Sequence, residues 1–216
     1  MSKHQPRGAL LALATLGAVG TATATGPGTS AVAADTQLTG GVPDSARVAS
    51  YVGALQPNGW YCGPAATRIA LSSQGRLPSF DDLAKDLGTT MAGTDSIYDV
   101  TRVLNYNYGY ERYRSVPIGN RKATGDQVKA LRSDIVKSIN LGDPVVANVA
   151  GTVYDTIGEV HSYPGGHYLD ITGYTEGGEL ISITDPADAI GSNEYQVPIG
   201  VLADWIATRG YTYRIN

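Results

Sequence analysis

One thiol, two imidazoles and two carboxylates carry the chemistry this sequence could perform. Cys62 is the single cysteine of 216 residues and stands in Gln56-Pro57-Asn58-Gly59-Trp60-Tyr61-Cys62-Gly63-Pro64-Ala65-Ala66. Pro64 suits the first turn of a helix, which puts the thiol at a helix N-terminus. Backbone N–H groups and the helix dipole favour a negative sulfur there, and thiol pKa values at such positions fall below the free value of about 8.5. The thiolate is the nucleophilic form, and it needs a base. His4 belongs to the leader described below. The candidates are therefore His161 and His167, in His161-Ser162-Tyr163-Pro164-Gly165-Gly166-His167-Tyr168-Leu169-Asp170. Gly165-Gly166 permits close backbone approach and a turn into a strand that His167 opens. A base at a strand start is held rigidly, which favours His167; His161 reads as a loop imidazole at the surface.

A third group must orient the imidazole and fix its tautomer. Asp185 follows an apolar strand and precedes Pro186, where a strand ends at a cleft edge. Asp170 lies three residues beyond His167, hence on the opposite strand face, where it reads as a solvent-facing or capped carboxylate. Cys62, His167 and Asp185 together suit nucleophilic acyl transfer. The competing reading of the thiol is a small buried hydrophobe. A zinc site built from Cys62, His161 and His167 has too few ligands and an unsuitable spacing.

The positioning elements follow from periodicity and punctuation. Helices are predicted from Pro64 to about Ser73, from the Ser79–Asp82 capping pair to Gly88, from near Thr94 or Asp95 through Leu104, and from Thr124–Gln127 to Gly142. The second half changes period. Strands are predicted over Val145–Val149, Tyr168–Thr172, Leu180–Thr184 and Tyr211–Ile215, with a short helix over Val201–Ala207. Helices first and strands afterwards predict an α+β fold in two lobes, with the site in the cleft between them. Tyrosines cluster at Tyr106, Tyr108, Tyr110 and Tyr113, a pattern read as a half-buried sheet edge rather than a contact surface.

The N-terminus reads as a secretory signal peptide over residues 1–33. Lys3 and Arg7 give a basic start, Gly8 to Val19 is an uncharged apolar run, and cleavage is expected after Ala24 or Ala33. Removal of the first 33 of 216 residues leaves 183, with 14 basic and 20 acidic side chains and a net charge of −6. An acidic chain with scattered cations suits neither nucleic acid nor an anionic membrane. Residues 34–50 are polar and small, and read as a flexible lead-in to a single domain over 51–216. An unpaired thiol in an oxidising compartment is a liability unless it is buried or employed.

Four features taken together resemble a known family: Gln56 six residues ahead of Cys62, the run Trp60 to Ala66, Gly166-His167-Tyr168 before an apolar strand, and Asp185-Pro186. They resemble the bacteriocin-leader-processing peptidases and their secreted relatives, within the papain-like cysteine peptidases, over residues 51 to 210. The resemblance implies a papain-like fold, a Cys62–His167 pair and Asp185 as its orienter. It also implies that Gln56 donates its side-chain amide to an oxyanion hole with the Cys62 backbone N–H, a task that an uncharged amide performs at any pH. The transporter-linked members carry membrane-spanning and nucleotide-binding domains that these 216 residues lack, so clipping of double-glycine leaders during export is not expected. The expected protein is a secreted or cell-wall-associated cysteine hydrolase that cleaves peptide or other amide bonds through a Cys62 acyl-enzyme. It is expected to be a monomer that takes a peptide or protein substrate, possible cell-wall peptides included. No cofactor, metal, nucleic acid or membrane is expected as a partner. An acyl transferase on the same triad and a non-catalytic surface-binding module of the same fold are the alternatives.

Overall fold

A computed structural model describes residues 41, 43–187 and 193–216. The expected signal peptide and most of the lead-in lie outside the described residues. The chain from Asp44 onward is already part of the domain: β1 (Ala46–Arg47) pairs with Tyr174 and Gly173, and Val48 is buried in the core. The last residues of the expected flexible lead-in are thus tied down by backbone pairing and one apolar side chain.

Five helices follow the sequence signals closely. These are α1 (Cys62–Ser72), α2 (Phe80–Leu87), α3 (Ile97–Tyr108), α4 (Gly125–Asn140) and α5 (Ile199–Ile206). Ser79 Oγ accepts from the Asp82 N–H at 3.0 Å, and Gly88 closes α2 in the left-handed region. Thr124 and Gln127 form a full capping box on α4.

The strands are more numerous than the sequence indicates, and two of the four expected ones are longer. They are β2 (Tyr113–Pro117), β3 (Val145–Tyr154), β4 (Val160–Thr175), β5 (Leu180–Thr184), β6 (Glu194–Pro198) and β7 (Gly210–Arg214). All pair antiparallel in the order β2-β7-β3-β4-β5-β6, with β1 on β4. Two apolar clusters sandwich this sheet. Leu131, Ile135 and Ile139 of α4 and Leu202, Trp205 and Ile206 of α5 pack with Val145, Ala147, Val149, Leu169 and Ile171 on one face. Ala66 and Ala70 of α1, Leu83 of α2 and Val100 and Leu104 of α3 pack with Val146 and Tyr168 on the other. Alternation along β3 therefore feeds both clusters, which is why this strand reads as a continuous apolar run.

The tyrosine cluster divides between core and surface. Tyr108 and Tyr113 are buried, while Tyr106 and Tyr110 are exposed. Tyr108 stacks under the Arg112 guanidinium, which pairs with fully buried Asp143 at 2.7 Å.

Two expectations about β4 are corrected. The strand opens at Val160, well ahead of His167, so His161 lies in a strand and is 5% exposed rather than on a surface loop. Gly165-Gly166 makes a bulge within the strand: the pairing steps from Val149–His167 to Gly151–Tyr163, so three residues oppose one. Gly166 adopts φ +107°, open to glycine and strained for other residues. Asp170 does lie on the opposite face from His167, but that face is covered by the helical lobe. Its direct partner on β3 is Val146 of the helix-side cluster, and the carboxyl is 0% exposed.

Neither oxygen of Asp170 has a hydrogen-bond partner among the described residues. Burial, and then the charge of Asp185, raise its pKa well above the usual carboxylate range, so the folded protein holds it as a neutral acid. In the unfolded chain the same group ionises near pH 4. Stability is therefore unpenalised below that pH and falls as pH rises toward the folded pKa, by up to about 1.4 kcal/mol per unit. Asp170→Asn removes this slope. Urea unfolding at pH 5 and pH 7.5 should show the variant gaining stability on the wild type between the two. A constant difference would mean that Asp170 ionises in the fold as it does in water.

Candidate active site

Helix α1 delivers Cys62 as its first residue, and its N-terminus differs from those of α2 and α4. The N-cap, Tyr61, makes no side-chain cap bond, and no acidic residue occupies the first turn. The first-turn donors are left for other acceptors. The Gly63 N–H is directed at the Cys62 sulfur, joined from the sheet by the Tyr168 N–H. Gly63 is fixed by packing, because a Cβ there would lie 2.3 Å from Thr94 Oγ1. The Tyr168 hydroxyl donates to the Thr94 carbonyl at 3.2 Å, tying β4 to the loop that faces Cys62.

The other two predicted residues converge on the thiol. His167 is 4% exposed; its Nε2 donates to Asp185 Oδ1 at 2.7 Å, and its ring also hydrogen-bonds the Cys62 thiol. With Nε2 engaged on Asp185, Nδ1 is the nitrogen that faces sulfur. Burial alone would raise the Cys62 pKa, but the His167 hydrogen bond and charge and the two backbone N–H groups lower it below the free value. Burial works against a charged imidazole too. The bonds to Asp185 and Cys62 outweigh it and raise His167 to about 9. Asp185 is held below its usual value: burial would raise it, and the His167 bond and charge reverse that. Each partner thus favours the charged form of the other.

Asp185 is fully buried and fully occupied. Oδ1 also accepts from the Ala187 N–H at 2.8 Å. Oδ2 accepts from the Tyr163 hydroxyl at 2.9 Å and the Tyr195 hydroxyl at 2.8 Å. Tyr163 also stacks on the His167 ring, with centroids 4.0 Å apart. Neither tyrosine was singled out by the sequence reading. Tyr163 carries a weak signal in its closeness to His167; Tyr195 carries none, because β6 reaches Asp185 only through sheet pairing.

The remaining candidates are placed as follows. The Gln56 backbone N–H donates to the Pro186 carbonyl at 2.8 Å, beside Asp185. Its side-chain Nε2 donates to the Asn58 carbonyl at 2.7 Å, and its Oε1 is buried without a partner among the described residues. His161 lies apart from the thiol, with its ring stacked on Tyr195 at 3.6 Å and Nε2 3.4 Å from Asp155 Oδ2. A cleft of about 240 Å³ opens beside Cys62, with Asn148 and Tyr168 among its lining residues. Sequence reasoning missed Asn148, which is carried to the cleft by the same alternation that sends Val146 to the helix-side cluster.

Comparison with solved structures gives the same architecture. A C39-like peptidase from Bacillus anthracis superposes with a TM-score of 0.56 at 14% identity, over 81% of this chain and 98% of that one. The peptidase domain of Streptococcus ComA, a bi-functional ABC transporter involved in a quorum-sensing pathway, superposes with a TM-score of 0.51. Its identity is 17%, over 76% of this chain and 98% of that one. No curated protein sequence gives a significant match. The profile of one sequence family spans residues 47–213, from β1 through β7, and the chain belongs to that family, the Peptidase_C39 like family.

Proposed function

We propose that the chain is a secreted, monomeric cysteine hydrolase that cleaves peptide or other amide bonds outside the cell through a Cys62 acyl-enzyme. The observation that carries this reading is His167 bonded on one side to Cys62 and on the other to Asp185. In this scheme the Cys62 thiolate attacks the substrate carbonyl carbon. The oxyanion that forms accepts from the Cys62 backbone N–H and the Gln56 amide. Asn58 uses one of the two protons on Gln56 Nε2 and fixes the amide, leaving the second for the oxyanion. His167 Nδ1 then protonates the leaving nitrogen, the C–N bond breaks and a thioester remains. Water attacks the thioester as His167 takes its proton, and the thiolate is regenerated with release of the acid. Asp185 keeps the proton of Nε2 in place and stabilises the imidazolium throughout.

The pH dependence separates the two halves of the pair. Hydrolysis requires both the thiolate and the protonated ring. Its rate should rise as Cys62 ionises and fall as His167 deprotonates at about 9. Alkylation by iodoacetamide needs only the thiolate and should not fall at that pH. His167→Ala should move the alkylation midpoint up toward the free value of about 8.5 and abolish hydrolysis of a quenched fluorogenic peptide library. His161→Ala should cost thermal stability, since a buried stacked ring is lost, and leave the midpoint in place. An unmoved midpoint in His167→Ala would assign the low thiol pKa to the helix end alone.

Gln56 is tested by its effect on rate. An oxyanion donor acts on the transition state and little on the ground state. Gln56→Ala should lower kcat by roughly 10²–10³ with little change in KM, the range for loss of one such donor. Alkylation of Cys62 should persist, because it builds no oxyanion. Near-normal turnover in Gln56→Ala would remove Gln56 from the scheme.

A further inference from the structure

The cleft beside Cys62 holds two charges that the reaction does not use. Arg209, between α5 and β7, lines one wall, and its guanidinium donates to the Gly165 carbonyl at 3.1 Å. Asp95, just ahead of α3, lines the cleft from the helical lobe. Apart from Cys62 and Tyr168, they are the two ionisable residues of that lining. Both are exposed, and neither takes part in an ion pair among the described residues, with each other or with any third group. The guanidinium lies close over the β4 bulge: a Cβ at Gly166 would stand 3.2 Å from Nη2. A Cβ there would crowd the guanidinium, and the positive φ at Gly166 already disfavours any other residue. A neighbouring recess reaching Tyr98 and Pro117 shares Asp95, Asn148 and Arg209 with the first, so the two charges stand where the recesses meet.

We propose that this groove selects a substrate residue that carries a carboxylate and an ammonium on one short frame. Arg209 takes the carboxylate and Asp95 the ammonium. The inference rests on the cysteine-hydrolase reading of the site. One of the five guanidinium donors is occupied by Gly165, and the rest can fork onto a carboxylate. A purely acidic residue would meet Asp95, and a purely basic one would meet Arg209. A zwitterionic residue pairs both and bridges two lobes whose own charges do not touch. Two sources share this chemistry: an amino-terminal acidic residue, with its free α-amino group, and an internal diamino-dicarboxylic acid residue, with both groups on its side chain.

The test is binding to the full chain carrying Cys62→Ala, which does not depend on turnover. Trp60 lines the cleft and is 36% exposed, whereas the other tryptophan, Trp205, is buried, so intrinsic emission reports on the groove. The probes are the C-terminal amides of Glu-Ala-Ala, acetyl-Glu-Ala-Ala, Gln-Ala-Ala and acetyl-Gln-Ala-Ala, and an acetylated tripeptide headed by a diamino-dicarboxylic acid. At least one zwitterionic probe should bind about tenfold more tightly than any singly charged probe, since each charged contact adds about that much. Whichever of Glu-Ala-Ala and the diamino-dicarboxylic tripeptide binds better identifies the source. Arg209→Gln should erase the preference for the carboxylate, and Asp95→Asn that for the ammonium, with unchanged melting curves as the control of folding. Should Arg209→Gln not fold, Arg209→Lys keeps the charge without the fork and should retain part of the preference. Equal binding of all the probes, or preferences that survive both substitutions, would overturn the proposal. Wild-type protein that cleaves neutral and zwitterionic peptides equally well would overturn it while leaving the hydrolase reading intact. Selective binding without any turnover would have the reverse effect.

Discussion

Asp185 is a carboxylate with no access to water, and such a group is costly unless every lone pair is met. Here four donors meet it: an imidazole, a backbone N–H and two phenols. Those donors come from β4, from the turn after β5 and from β6, so satisfying one charge draws three separate segments to a point. The charge is passed on. It keeps the His167 ring protonated, and the protonated ring in turn lowers the Cys62 thiol. Tyr163 contributes twice, with its hydroxyl on Asp185 and its ring face against His167. An imidazolium over a phenol face gains from the ring quadrupole, and the stacked ring shields the His167–Asp185 bond from solvent on that side.

The thiol is held to the histidine by packing rather than by a second ionic contact. Cys62 rides on α1, whose first turn is pressed against Thr94 at a distance that only glycine allows. Thr94 is fixed from two directions, by the Thr89 hydroxyl at 2.7 Å and by the Tyr168 hydroxyl. Tyr168 follows His167 directly in β4. The lobe that carries Cys62 and the strand that carries His167 are therefore registered to each other one residue from the Cys62–His167 pair. Placement at this precision is what acyl transfer requires of a base and a nucleophile.

The parts legible in the sequence are those governed by local chemistry. Capping residues marked α2 and α4, a proline placed in a first turn marked α1, and glycines in the left-handed region marked the helix ends. The cysteine and histidine segments announced themselves through residue type and immediate neighbours. The strands were legible only where apolar side chains ran together. The outer half of β4, with Val160, His161 and Ser162, has no such run, and its pairing with β3 through the bulge is a long-range fact. The same limit explains Asp170. Alternation correctly put it on the face away from His167, but alternation does not say what covers that face, and here it is a second layer of helices. The tyrosine pair on Asp185 was invisible for the same reason, since β6 meets β5 across a connection that no local pattern encodes.

The solitary sulfur has a chemical consequence of its own. A thiolate is also the form of cysteine that peroxides attack, and the first product is a sulfenic acid. In many thiol proteins a nearby second cysteine condenses with that group and shields it from further oxidation. No second cysteine exists in these 216 residues. A route to a disulfide then runs through a thiol from outside, which would have to reach a cysteine that is 9% exposed in the cleft lining. The contacts that lower the Cys62 pKa therefore also favour the form that peroxides attack, and its recovery depends on the balance of oxidant and free thiol around the protein.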